Sequence, residues 1–319
     1  TATGDGMAIA YRAGAELEDL EFVQFHPTTL YIAGASRALI SETVRGEGGR
    51  LVDRNGTRFM PEYHPDAELA PRDIVSRSIV RQMAKTDSTN VYLDLRHLKA
   101  ERLYSRFPFI RTICRDFDID IARDLIPVRP AAHYTIGGVR VDADGLSSLP
   151  RLYACGEVAC TRLHGANRLG SNSLLEGLVF GYRAGRQIAA QLSGGNGAAR
   201  PPRLQFTVDR SDRTVLDVAD VQNSLRAVMW RNVGIERDAH HLGETEEIIE
   251  FWQSYVLDKE FDGPQGWQLQ NMLTLARLMA RAASRREESR GTHFRRDFPE
   301  RDDAHWQKHI DLSLASATV

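Results

Sequence analysis

The stretch His164-Gly165-Ala166-Asn167-Arg168-Leu169-Gly170-Ser171-Asn172-Ser173-Leu174-Leu175-Glu176 joins a glycine-rich loop to the start of a helix. Ser173-Leu174-Leu175-Glu176 fits a capping box, in which the serine oxygen takes an N–H of the first turn and the glutamate reaches back. Apolar residues then recur at Leu174, Leu175, Leu178, Val179, Tyr182, Ile188 and Leu192, which predicts a helix packed along one face and stopped at Gly194-Gly195. Just upstream, Leu152-Tyr153-Ala154-Cys155 reads as a strand closed by Gly156-Glu157. Strand, tight turn and helix in this order make a unit of an α/β fold, and its helix N-terminus favours negative charge.

Working outward, residues 5–14 read as a short helix and residues 20–25 as a strand. Arg54-Asn55-Gly56-Thr57 is a turn signal, Asp73 to Met83 has helical periodicity, Val91-Tyr92-Leu93 is a short strand, and another begins at Gly137-Gly138-Val139. A linker with two prolines, 197–203, marks a boundary, and helix patterns follow at about 213–231, 244–256 and 267–289.

With 319 residues, 42% hydrophobic and 26% charged, the chain has the composition of a globular protein of about two domains. A formal charge of -2 argues against nucleic acid as a partner, and no apolar run is long enough to span a membrane. No leader-like basic and apolar pair opens the chain. The cysteines are Cys114, Cys155 and Cys160, an odd, sparse set that argues for the reducing cytoplasm over a disulfide framework. They read as small buried hydrophobes, with a metal or iron–sulfur site as the alternative.

The residues that carry chemistry gather in a few segments: Gln24-Phe25-His26-Pro27-Thr28, Ser41-Glu42-Thr43-Val44-Arg45-Gly46-Glu47-Gly48, Pro71-Arg72-Asp73, His133-Tyr134-Thr135, and the loop ending at Arg168. A small molecule with two carboxylates needs cationic or donor groups at both ends. Arginine supplies a planar fork, and histidine and hydroxyl groups add single donors. Taken singly, each has an ordinary structural explanation: a packed histidine for His26, a surface ion pair for Arg72, a plain helix cap for Ser173. The charged run from Arg281 to Asp303 reads as a solvated face.

These segments follow one another in a fixed order, with Thr3-Gly4-Asp5-Gly6 before them and Gly156-Glu157 ahead of the loop. In this the chain resembles the flavoprotein family of fumarate reductase, succinate dehydrogenase and L-aspartate oxidase, from Thr3 to about His309. Three features resemble the aspartate-oxidising members most: Pro71 ahead of Arg72, the short connection from His133 to Gly156, and Glu176-Gly177. Ser41 stands where those members often carry threonine, which keeps the hydroxyl.

The resemblance implies an α/β fold: a Rossmann-like FAD-binding domain (1–19 and 134–204), an inserted α+β capping domain (20–133) and a C-terminal helical domain (205–319), with the active site between cap and FAD domain. FAD is the implied cofactor, contacted by Asp5, Glu157, Ser173 and Leu174, and no metal is implied. The implied reaction is oxidation of L-aspartate to iminoaspartate with hydride passing to flavin N5, oxygen or fumarate as acceptor, and a link to quinolinate synthase in NAD biosynthesis. His26, Ser41, His133 and Arg168 would hold the substrate carboxylates with Gln24 and Glu42 alongside, and Arg72 would transfer the proton. That last role demands an electropositive, desolvated site, because arginine ordinarily keeps its proton.

One departure shapes the expectation. The G-x-G-x-x-G turn that cradles a dinucleotide pyrophosphate is absent, and the chain opens on a glycine turn as if inside a domain. The FAD-binding domain is therefore expected to be partial, lacking its N-terminal half, and FAD binding by this chain to be weak. A fumarate reductase or succinate dehydrogenase flavoprotein subunit, or a truncated non-catalytic fragment, stays open as an alternative.

Overall fold

The computed structural model describes residues 3–33, 37–193 and 216–315. The chain runs through α1 (Asp5–Arg12), β1 (Leu17–Glu18), β2 (Val23–Leu30), α2 (Glu42–Gly46), β3 (Arg50–Val52), α3 (Met60–Tyr63), α4 (Arg72–Lys85), β4 (Val91–Asp94), α5 (Ala100–Arg106), α6 (Pro108–Arg115) and β5 (Ile126–Thr135). It continues through β6 (Gly138–Arg140), β7 (Ala159–Cys160), α7 (Asn172–Ser193), α8 (Val218–Asn232), α9 (Ala239–Val256), α10 (Pro264–Arg285), α11 (Asp303–Trp306) and β8 (Asp311–Leu312). Two compact units result, one made of residues 1–23 with 134–319 and the other of residues 24–133.

In the first unit a four-stranded sheet has the order β7-β6-β1-β8. β1 lies antiparallel to both β6 and β8, and β6 runs parallel to β7. Leu17 pairs with Val139 and with Leu312, and all three are buried. Helix α1 lays Met7, Ala8, Ala10 and Tyr11 into the same core as Leu275, Leu278 and Ala282 of α10. Its N-terminus is tied to α10 by Asn271, whose Nδ2 donates to Asp5 Oδ1 at 2.6 Å. A second apolar cluster, with Leu225, Ile249, Val256, Leu269 and Leu273, welds α8, α9 and α10.

In the second unit the sheet order is β2-β5-β4-β3, backed by a core that includes Leu30, Ile40, Val44, Leu51, Phe59, Val75, Ile79, Leu93 and Val128. Helix α4 presents Val75, Ile79 and Met83 to this core, as its period predicts.

Several expectations are corrected. The FAD-binding domain expected as a partial remnant is present as a folded module: its sheet is continued by β8 from the C-terminal end, and its apolar core is completed by Leu275, Leu278 and Ala282 of α10. The strand expected at 152–155 is reduced to an isolated bridge from Tyr153 to Leu146. The strand expected at 20–25 is β2, displaced to Val23–Leu30. The apolar stripe of α7 is not a packed face: Leu174 is 82% and Leu178 71% exposed, and the buried residues of α7 are Glu176 and Ala184. The last long helix stops at Arg285, where the expected one ran to 289. The linker 197–203, the Gly194-Gly195 stop and the start of the helix expected at 213 lie outside the described residues. Among the described residues no helix is long and apolar enough to cross a membrane.

Strand β6 fits its place because it starts with glycine. A Cβ at Gly137 would stand 2.2 Å from the Asp19 carbonyl oxygen, and one at Gly138 would stand 2.5 Å from that of Val158. Both neighbours are backbone and cannot swing aside. Gly137→Ala should therefore lower stability by roughly 1–3 kcal/mol, the usual cost of forcing extra volume into a packed site. The denaturant midpoint against wild type is the measure, and an unchanged midpoint would contradict the packing described.

Candidate active site

The second unit collects Gln24, His26, Ser41, Glu42, Arg72 and His133. Gln24 and His26 alternate along β2, which puts them on one face of the strand. Both are buried. The imidazole of His26 meets that of His133, on β5, edge-on at 5.3 Å between ring centres. Arg72 is the first residue of α4, preceded by Pro71 in extended conformation. Its guanidinium is held from two sides: Nε donates to Glu42 Oε2 at 2.7 Å, Nη2 lies 2.7 Å from the same oxygen, and Nη1 donates to Gln24 Oε1 at 3.1 Å. Glu42 in turn is the first residue of α2, whose cap is Ser41, its Oγ accepting from the Thr43 N–H at 3.3 Å.

Electrostatics set the state of His26. Burial pushes its pKa down to about 3, reinforced by the charges of Arg72, His133 and Arg45, so the ring is neutral at neutral pH. Its Nδ1 accepts the Thr28 N–H at 3.3 Å. The neutral ring has one proton, so that proton sits on Nε2, and Nε2 is a hydrogen-bond donor. Arg45, which the motif reading quoted without a role, is 2% exposed. Its Nη1 donates to the Glu68 carbonyl at 2.5 Å, while Nε and Nη2 have no hydrogen-bond partner among the described residues. Burial lowers its pKa.

The first unit holds Asp5, Glu157, Arg168, Ser173 and Leu174. Arg168 is buried, with Nη1 donating to Ser173 Oγ at 3.4 Å and its guanidinium carbon 4.4 Å from the centre of the Tyr134 ring. The capping box is corrected here. Ser173 is inside α7, and the Glu176 carboxylate turns inward to accept from Tyr134 Oη at 2.9 Å, His164 Nε2 at 2.8 Å and the Thr161 hydroxyl. Tyr134, Thr161, His164 and Glu176 are thus a buried polar network that motif reading missed. Tyr134 and His164 stood inside quoted segments, so type and neighbourhood were the available signal. Asp5 is occupied structurally by Asn271 and by the Thr3 hydroxyl at 2.6 Å. Glu157 Oε1 accepts the Thr135 N–H at 3.0 Å.

Glycine leaves the backbone open beside Glu157 and in the loop before Arg168. Gly156 has φ +75°, a left-handed conformation suited to glycine, and Gly165 has φ +55°. A Cβ on either would meet nothing within 4 Å, whereas α7 approaches the Gly156 turn through Gly177, whose Cβ would lie 3.7 Å from the Gly156 Cα. Beside this turn the exposed apolar run of Leu174 and Leu178 and the N-terminal N–H groups of a long helix offer a flat apolar contact next to donors. That combination fits a flavin ring with anionic character around N1 and the C2 carbonyl.

Comparison with known proteins agrees. A model of the FAD binding domain matches residues 1–174, and a model of the fumarate reductase flavoprotein C-terminal region matches residues 222–317. The first match overturns the expectation that the dinucleotide-binding part is missing: the FAD-binding domain is present, and FAD is the cofactor. The chain is 44% identical to an L-aspartate oxidase of Streptomyces coelicolor over 98% of its own length and 56% of the relative's. It is 45% identical to that of Bacillus subtilis over 96% and 56%. A fumarate reductase flavoprotein subunit of Mycobacterium tuberculosis is 40% identical over 96% and 59%. Among solved structures, a variant of the E. coli quinol fumarate reductase superposes with a TM-score of 0.86 at 33% identity, covering 98% of this chain and 59% of that one. The chain thus spans 56% to 59% of the length of these relatives.

The state of His26 has a consequence for stability. The folded protein keeps the ring neutral down to about pH 3, while an ordinary histidine takes its proton near 6.5. Across that window the unfolded chain binds the extra proton, so the contribution is full above about pH 6.5 and is lost as pH falls toward 3. Wild type should lose denaturant stability more steeply than His26→Asn between about pH 7 and about pH 4.5. Parallel losses would be the contrary result.

Proposed function

Because the chain belongs to the FAD-binding flavoprotein family of the fumarate reductases, we propose that it serves the FAD-dependent oxidation of L-aspartate to iminoaspartate. Oxygen or fumarate would take the electrons, and the product would pass to quinolinate synthase in NAD biosynthesis, in the cytoplasm. The observation that carries this reading is the guanidinium of Arg72 gripped between Glu42 and Gln24, in the same unit as His133 and the neutral His26. The 44% identity to an L-aspartate oxidase supports it. Pro71 ahead of Arg72, the short connection after His133 and Glu176-Gly177 favour the same branch. A fumarate reductase flavoprotein subunit is the second reading, favoured by the 40% identical mycobacterial relative.

FAD, when bound, supplies the two-electron acceptor for such an oxidation. The chain's own residues bind and orient. Arg168 offers a planar fork for one carboxylate, its guanidinium carbon 4.4 Å from the centre of the Tyr134 ring. His26 offers Nε2–H, a neutral donor whose direction is fixed by the Thr28 N–H behind it. His133 and Ser41 are assigned to the carboxylates as further donors. Gln24 and Glu42 hold the Arg72 guanidinium in place, and Arg72 is assigned the proton transfer at the substrate carbon. Cations around it, Arg45 above all, keep the neighbourhood positive.

Two measurements test this. In the FAD-bound protein, L-aspartate should bleach the flavin under anaerobic conditions and succinate should not. Bleaching by succinate with aspartate inert would move the assignment to the second reading. For Arg72, replacement by leucine should cut fumarate turnover by about 100-fold or more, the range of a lost general acid, and weaken fumarate binding far less. Near-normal turnover in Arg72→Leu would reduce Arg72 to a carboxylate clamp.

A further inference from the structure

Glu176 lies on a helix that is otherwise mostly exposed, yet its side chain is among the most deeply buried carboxylates of the first unit, 1% exposed. Burying such a group is costly unless its oxygens are satisfied. Here they are: Tyr134 Oη and His164 Nε2 both lie on Oε2, at 2.9 and 2.8 Å, and the Thr161 hydroxyl on Oε1. A carboxylate only accepts, so all three neighbours donate, and His164 carries a proton on Nε2. Tyr134 is therefore held at its hydroxyl end. Its ring is braced edge-on by His164, 5.5 Å between centres, and its face carries the Arg168 guanidinium at 4.4 Å.

We propose that Glu176 is a positioning residue for the substrate: through Tyr134 it sets the plane in which Arg168 presents its guanidinium to a carboxylate. This rests on the assignment of Arg168 to carboxylate binding made above. A two-pronged contact depends on the tilt of the guanidinium plane, and a single ring face is a loose support unless the ring itself is fixed. Burial, and then the charge of Glu176, raise the Tyr134 phenol above its ordinary range, so it keeps its proton and remains a donor. The Tyr134 face and the Ser173 hydroxyl both restrain Arg168 without carrying a negative charge of their own. The effect should fall on binding and leave the chemical step alone.

Glu176→Gln keeps the volume and turns one acceptor into a donor, so the side chain can no longer accept from all three neighbours in their present arrangement. In the FAD-bound protein, this variant should weaken malonate, read from the flavin absorbance change it causes, by about tenfold, the scale of a lost desolvated cation–ring contact. The KM for L-aspartate should rise in step while kcat stays within about threefold. FAD content should not change. Tyr134→Phe, which likewise keeps the ring and loses the tether, should match it, and Tyr134→Leu, which removes the ring, should be at least as weak. The double variant Glu176→Gln with Tyr134→Leu should be no weaker than Tyr134→Leu alone, because both act through one ring. Wild-type malonate affinity in Glu176→Gln overturns the proposal, as does a loss confined to kcat. If Glu176→Gln cannot be recovered with FAD, wild-type affinity in Tyr134→Leu overturns it equally. A wild-type protein that binds neither malonate nor L-aspartate defeats the reading of Arg168 itself, whereas normal wild-type binding with unaffected variants defeats the positioning role alone.

Discussion

Burying a guanidinium is costly unless most of its donors are met, and in the first unit three such groups order the chain after α10. Arg237, Arg286 and Arg295 are each 1% exposed. Arg286 donates to Glu21 Oε1 at 2.7 Å, to Glu288, and to the carbonyls of Trp306 and Lys308, with its plane over Phe22. Arg295 takes the carbonyls of Ala283 and Ser284 at the C-terminal end of α10 and pairs with Asp297. Arg237 reaches the Glu21 carbonyl at 2.7 Å and the ring of His293. Charges this deep are destabilising unless matched, and the match needs backbone carbonyls in quantity. Irregular chain supplies them where regular helix cannot, which accounts for the wrapped, helix-poor path of residues 286–315.

That path reaches the loop that carries Arg168. Gly291, at φ +54°, lies so close to Ala166 that a Cβ there would come within 2.3 Å of its carbonyl oxygen. The Thr292 N–H and hydroxyl both donate to that carbonyl, at 2.9 and 3.2 Å. Ala166 is two residues from Arg168. The arginine is thus fixed from behind by the C-terminal segment and from the side by Tyr134, which is the preorganisation a carboxylate clamp needs.

Much of the fold is legible in the sequence because it obeys local periods. α1, α4, β4 and β6 and the three long helices of the C-terminal part stand close to where apolar spacing puts them. The failures have physical causes. β5 begins Ile126-Pro127-Val128-Arg129-Pro130, and two prolines ordinarily disqualify a strand. Ser173-Leu174-Leu175-Glu176 has the letters of a capping box, but three donors from elsewhere in the chain outbid one backbone N–H for the Glu176 carboxylate. The candidate site residues are legible by type, yet not their pairing: Arg72 finds Gln24 across 48 positions and Glu42 across 30, distances at which sequence spacing carries no geometry. The FAD-binding domain is not legible from one glycine turn, because what identifies it is spread over residues 1–174.

The second unit is one uninterrupted stretch of chain, 24–133, set inside a unit that is not. It leaves and returns through β2 and β5, neighbours in one sheet, with Tyr31 N–H bonded to the Pro127 carbonyl at 2.9 Å and Ile136 N–H to that of Phe22 at 3.0 Å. During folding, the pairing of these two strands ties the neck of a long loop. Once the neck is closed, residues 22 and 136 are adjacent, and β1 can find β6 without the search that so many intervening residues would otherwise impose. The inserted stretch, with an apolar core of its own, is suited to fold early and to serve as the staple that shortens the path for the discontinuous unit.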